Sequence, residues 1–219
     1  MSMLRMTLIP AILGFCMCAN GDTIAGDLGP GNSFQTGTGN SWATGDGSNS
    51  SNAVSFTVAV GKSYLLDKIM VADNWFAGTD SLNVGLYLGG NPNTATLVES
   101  FTIPTSSTTQ FASVLFTLSS SLHPLLIGGN TYLVEESIGA CGTASTCATT
   151  WGWQWNNLSP SQTGYYARFA GNPWFAETGL TPAYAVTGTP TPEPGYLMLL
   201  VVAGGLLGFF HWRKLHEAV

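Results

Sequence analysis

The stretch Leu82-Asn83-Val84-Gly85-Leu86-Tyr87-Leu88 puts an aliphatic side chain at every second position. Successive side chains of an extended strand point to opposite faces, so this alternation describes a strand that buries Leu82, Val84, Leu86 and Leu88 on one side only. Val54, Phe56, Val58 and Val60 repeat the pattern against Ser55, Thr57 and Ala59; Val114, Phe116 and Leu118, then Tyr132, Val134 and Ile138, continue it. Tyr64 to Val71 is apolar enough for a strand covered on both faces. Between the runs fall Gly61, Gly89-Gly90-Asn91-Pro92-Asn93, Pro104 to Ser107, Gly128-Gly129-Asn130 and Gly171-Asn172-Pro173, all turn-forming sequences. Roughly eight to ten short strands at this spacing, with no amphipathic helix, predict a mainly β chain built as a single antiparallel β-sandwich or jelly roll.

Composition sets the compartment. The 219 residues are 8% charged and 45% hydrophobic and include 27 glycines, a balance typical of secreted β proteins. Between residues 22 and 191 the only basic residues are Lys62, Lys68 and Arg168, against ten acidic ones, a net of minus seven. Such a surface repels phosphate backbones and argues against nucleic acid as a partner.

Both ends of the chain look like processing segments. Arg5, the apolar stretch Met6 to Met17 and the small-residue site Ala19-Asn20-Gly21 form a secretory signal peptide over residues 1–21. At the other end stand Pro192, Glu193 and Pro194, an apolar run from Tyr196 to Phe210, and the basic pair Arg213 and Lys214. A helix over 195–212 rises ~1.5 Å per residue and reaches ~27 Å, just enough for a ~30 Å hydrocarbon core. The two prolines suit a helix start, and the basic pair acts as a membrane stop on the cytoplasmic side. The expected organisation is therefore a signal peptide (1–21), a Gly/Ser/Asn-rich arm or edge strand (22–52), a β-sandwich domain (53–188) and a sorting segment (189–219). The last comprises an extended linker, one C-terminal transmembrane helix and a basic tail. Cys141 and Cys147, the two cysteines outside the signal peptide, are close enough in sequence to close a local disulfide in an oxidising compartment.

The tail resembles a PEP-CTERM sorting signal of Gram-negative bacteria, carried here by Pro192, Glu193 and Pro194, the short apolar helix and the basic end. That resemblance implies export across the inner membrane and transient anchoring there. It also implies an exosortase-type membrane protease as partner, with release to the cell surface or extracellular matrix. The segment from about Asn32 to Gly188 is similar to the choice-of-anchor domains of PEP-CTERM surface proteins. The resemblance rests on an early Ser-Trp, the Ser119 to Leu133 stretch, the Trp-Gly-Trp-Gln-Trp-Asn run and the closing Pro-Ala-Tyr-Ala-Val-Thr-Gly. It implies a β-sandwich and brings no catalytic residues.

Trp151, Trp153 and Trp155 alternate with Gly152 and Gln154, so on a strand the three indoles share one face. Exposed, they would stack on the sugar rings of an exopolysaccharide; buried, they would close the core. Trp75 and Trp174, beside Asn74 and Asn172, read as rim residues of the same kind. His123 is the only histidine between 22 and 191 and reads as structural, and neither a Gly-x-Ser-x-Gly elbow nor a His-Glu-x-x-His is present. The neighbours Glu135 and Glu136 point to opposite faces of a strand and cannot cooperate, although carboxylates further apart can still meet. Asp46-Gly47-Ser48-Asn49-Ser50 has the composition of a calcium loop without its regular spacing, and no cofactor or metal site is read from the chain. Two functions remain open. One is a non-catalytic surface or matrix module binding exopolysaccharide; the other is a glycan-cleaving or glycan-modifying enzyme on a jelly roll, which needs two carboxylates within about 5–10 Å on a concave face.

Overall fold

A computed structural model describes residues 21–36, 40–44 (backbone only), 50–138, 149–156, 164–168, 172–177 and 181–191, with Val202, Gly204 and Gly205 beyond. Among them are thirteen strands: β1 Asp22–Gly26, β2 Asn40–Thr44, β3 Ser51–Thr57, β4 Ser63–Ala77, β5 Leu82–Leu88, β6 Thr96–Ile103, β7 Ser113–Ser119, β8 Leu125–Ile127, β9 Thr131–Ile138, β10 Thr150–Gln154, β11 Tyr165–Arg168, β12 Phe175–Glu177 and β13 Tyr184–Pro190. One turn of 3-10 helix, Thr105–Ser107, separates β6 from β7. No helix among the described residues is long and apolar enough to cross a membrane. The signal peptide up to residue 20, the sorting motif Pro192, Glu193 and Pro194, the stop Arg213 and Lys214, and all of the helix 195–212 except Val202, Gly204 and Gly205 lie outside the described residues.

The strands form two antiparallel sheets. The larger has the order β1-β13-β4-β10-β2, with β7 and β8 pairing along the other side of β4; the smaller has the order β12-β11-β3-β9-β5-β6. Their facing side chains make one core. The larger sheet contributes Ile69, Val71, Trp151, Trp153, Tyr184 and Val186, and the smaller Val54, Phe56, Leu82, Val84, Leu86, Tyr132 and Val134. The alternation seen in the sequence is thus the pleat of β3, β5 and β9 in the smaller sheet and of β7 in the larger, and the inner faces fix the strand register.

β4 organises the larger sheet because, at fifteen residues, it is long enough to take two partners on each side. On one side β13 pairs with Tyr64–Val71 and β10 takes over at Asp73; on the other, β8 pairs with Ser63–Leu65 and β7 with Lys68–Asn74. This differs from the expected strand over Tyr64 to Val71, covered on both faces: Leu65 is 40% exposed, and the strand runs on through Asp73, Asn74 and Trp75. Trp75 is consequently a strand residue packed against the core rather than a rim residue. Its indole N–H donates to the Ala77 carbonyl at 2.8 Å.

Asp27 closes the junction where β10 gives way to β13. Its carboxylate accepts the Tyr184 amide at 3.1 Å and the Asn156 amide nitrogen Nδ2 at 2.8 Å. Burial outweighs these bonds and pushes the carboxyl up to about 6. Glu99 is the opposite case. Burial pushes it up, but bonds from the Ser120 hydroxyl and the Ser121 and Leu122 amides outweigh that and hold it below its ordinary value. The loop so capped carries His123 at φ 45, with its Nδ1 2.9 Å from the Leu66 carbonyl oxygen, a structural setting for that ring.

Two segment boundaries differ from the expected organisation. Within the stretch 22–52, read as an arm or edge strand, β1 pairs with β13 and β2 with β10 as outer strands of the larger sheet, and β3 already begins at Ser51. Thr189 and Pro190, expected as linker, instead complete β13 and pair with β4 as far as Tyr64. The alternating Thr187-Gly188-Thr189 fits a pleated strand as readily as a linker, and the ladders to β4 and β1 decide between them.

Candidate functional site

The three indoles do share one parity, but the face they share is the inner one. β10 lies between β4 and β2, with Trp153 opposite Asp73 and Trp151 opposite Trp75. Trp151 and Trp153 have no exposed surface. Each indole N–H is satisfied by a carbonyl, Asp80 at 3.2 Å and Ala183 at 2.9 Å, and Trp151 meets Phe116 edge-on at 6.1 Å. An indole without an accessible face cannot stack on a sugar, so of the two roles left open for Trp151 and Trp153 the core role is the one they take, and the candidate stacking role is withdrawn for both. Trp155 is half-buried and edge-on to Tyr165 of the smaller sheet at 5.8 Å.

Between the sheets lies a feature that the reading of the sequence missed. Asp73 on β4 and Glu136 on β9 are both fully buried. None of their four carboxyl oxygens meets a hydrogen-bond donor; the two groups interact with one another. Two carboxylates are both acceptors, so the contact is a hydrogen bond only when one carboxyl keeps its proton. Burial pushes Asp73 up to about 7, and burial together with the Asp73 charge pushes Glu136 well up. Asn52 pairs with Glu136 in register; its Oδ1 accepts the Tyr165 hydroxyl at 3.1 Å, while its Nδ2 is buried without a partner. The pair can hold protons, but no substrate can reach it.

The outer face of the smaller sheet is arranged differently. Alternation places Glu135 on β9, Tyr87 on β5, and Tyr166 and Arg168 on β11 on that face, over a floor of Gly85 and Ala53. The Tyr87 ring lies over Gly85 so closely that a Cβ there would collide with it. Burial pushes Glu135 up to about 7 against the opposing pull of the Arg168 charge. Burial and the Glu135 charge push the Tyr87 phenol up, and Arg168 opposes this. The Arg168 guanidinium donates to the Ser51 hydroxyl at 3.1 Å and stands 5.0 Å above the Trp174 ring centroid, a cation–π stack. Tyr87, Tyr166 and Trp174 are all half-buried, which leaves part of each ring at the surface. Trp174 was legible as a rim aromatic; its cation, Arg168, comes from the neighbouring strand β11, which pairs antiparallel with β12 and so brings the two side chains together.

Cys141 and Cys147, and most of the calcium-like loop at 46–50, lie outside the described residues. Among the described residues no group of three or more His, Cys, Asp and Glu side chains could hold a metal ion. No family model matches this chain, and no curated protein matches it.

Proposed function

We propose that this chain is an exported, non-catalytic cell-surface or extracellular-matrix module. Its β-sandwich-like domain offers the outer face of the β12-β11-β3-β9-β5-β6 sheet to exopolysaccharide, and its PEP-CTERM-like tail delivers it through an exosortase-type protease. The observation that carries the reading is the group of three half-buried rings, Tyr87, Tyr166 and Trp174, around Arg168 and Glu135. Flat rings suit the apolar faces of pyranoses, and the guanidinium and carboxyl can bond hydroxyls at their rims. Against the glycan-cleaving alternative stands the position of Asp73 and Glu136, which come together where neither water nor a glycosidic oxygen has access.

The test has two parts. Intact mass of the protein recovered from its native cell should show cleavage near Asp22 and near Pro194; a retained tail contradicts the sorting part. Exopolysaccharide from the same cell, immobilised, should retain the protein without being shortened; chain cleavage would replace the module reading with the enzyme reading.

A further inference from the structure

We infer that the end of the domain from which the chain departs is a lipid-facing foot, resting on the membrane in which the tail is anchored. This rests on reading 195–212 as a membrane helix. Thr191 donates its amide to the Ser63 carbonyl at 2.9 Å and its hydroxyl to the same oxygen at 3.1 Å, so the chain stays tied to β4 beyond the end of β13. Only Pro192, Glu193 and Pro194 separate Thr191 from Gly195. Four steps of extended chain span at most roughly 14 Å, and the headgroup layer is itself roughly 5–8 Å deep. The end of the domain at Ser63 is therefore held against the headgroups.

The surface at that end suits the position. Val60, in the turn between β3 and β4, is 85% exposed, and Leu125, Ile127 and Leu65 are 49%, 48% and 40% exposed. Leu125 pairs with Leu65 and Ile127 with Ser63, so the three apolar side chains share the outer face beside the chain exit. Gly128 packs against the turn so closely that a Cβ would collide with the Lys62 carbonyl oxygen, which brings Val60 to the same end. Lys62, exposed in this turn, is one of three basic residues between 22 and 191 and suits anionic headgroups. Asp67 lies four residues beyond Ser63 along β4, and both its oxygens accept the Thr189 hydroxyl, at 3.1 and 3.0 Å. Exposed apolar side chains beside a cation, at the point of attachment, match an interfacial lipid contact.

The same chain supplies a control. Phe111 is 66% exposed, but its amide bonds the Trp75 carbonyl at the far end of β4, roughly 40 Å away at ~3.3 Å per residue. The full chain is reconstituted in vesicles of phosphatidylethanolamine and phosphatidylglycerol, with a photoreactive benzophenone side chain replacing Val60, Ile127 or Phe111 in turn. All three positions are exposed enough to tolerate it. Lipid adducts at 60 and 127, at least fivefold above those at 111, are expected. Equal labelling at 111, absence of lipid adducts at 60, or an adduct of doubled protein mass at 60 overturns the foot while leaving the anchor intact. Failure of the chain to integrate into the vesicles overturns the anchor, and the foot with it.

Discussion

Glu135 and Glu136 are neighbours in the chain and occupy opposite faces of the same strand, β9. Burial pushes both carboxyls up, yet their surroundings differ. Glu136 meets only Asp73, another acid, in a space closed on all sides. Glu135 is half-buried and feels Arg168, which also touches Ser51 and Trp174. The lesson is that burial alone does not mark a site. A titratable group becomes useful when a second group of different chemistry and a path to solvent come with it, as on the outer face. The inner pair has neither, and its effect falls on stability.

The largest expected effect breaks the inner face. Trp153→Ala removes a fully buried indole and should cost about 3–5 kcal/mol in urea unfolding. The fraction that remains folded should still bind glycan, whereas loss of binding per folded molecule would show that the two faces are not independent.

Next in size is the pH dependence. Asp73, Glu135 and Glu136 have folded values raised above their unfolded ones, so the stability they confer is fully present below about pH 4 and is lost as pH rises, through about 7 for Asp73 and Glu135 and through the well-raised value of Glu136. Each proton held by the fold but not by the unfolded chain lowers stability by ~1.4 kcal/mol per pH unit on the way up. Unfolding free energy should therefore fall between pH 5 and pH 7. Glu136→Gln should flatten that slope at any salt concentration, whereas parallel profiles for variant and wild type would contradict the buried pair.

Glu135→Gln sharpens the contrast by a smaller amount. It should flatten the same slope less than Glu136→Gln does, and by an amount that changes between 0.05 and about 1 M salt, since ions screen a half-buried charge from its partner more than a buried one. An effect insensitive to salt would place Glu135 in the same environment as Glu136. The smallest stability effect belongs to Arg168→Lys, which keeps the charge and loses the planar stack, at roughly 0.5–1 kcal/mol. Glycan retention should nevertheless drop several-fold in that variant; unchanged retention would remove Arg168 from the site.

Much of the fold was legible because burial writes itself as alternation. Leu82 to Leu86 and Val54 to Phe56 lie in β5 and β3 with the expected faces inward, whereas Leu88 and Val60, expected on the same faces, are 41% and 85% exposed because they fall at the strand end and in the following turn. The extension of β4 was hidden because Asp73 and Asn74 look like loop residues, and only β7 and β10 on either side hold them in a ladder. The buried pair was nonetheless within reach. Tyr132, Val134 and Ile138 define an inward parity whose missing member is Glu136, and Val71 and Trp75 bracket Asp73 in the same way. A carboxyl at an inward position of a strand is a signal that demands a partner. What alternation could not reveal is which residues of distant strands become neighbours. The stack of Arg168 on Trp174 is local to the β11/β12 pair, but the approach of both to Glu135 depends on β11 adding beside β3, a pairing between segments more than a hundred residues apart.

The central claim is that glycan is held by the outer face of the smaller sheet and not by the indoles of β10. Retention on immobilised exopolysaccharide by wild type, Tyr166→Ala and Trp153→Phe, each corrected for folded fraction, tests it directly. Tyr166→Ala should lose at least tenfold in retention while Trp153→Phe keeps that of wild type; equal retention by all three, or loss confined to Trp153→Phe, would contradict the account.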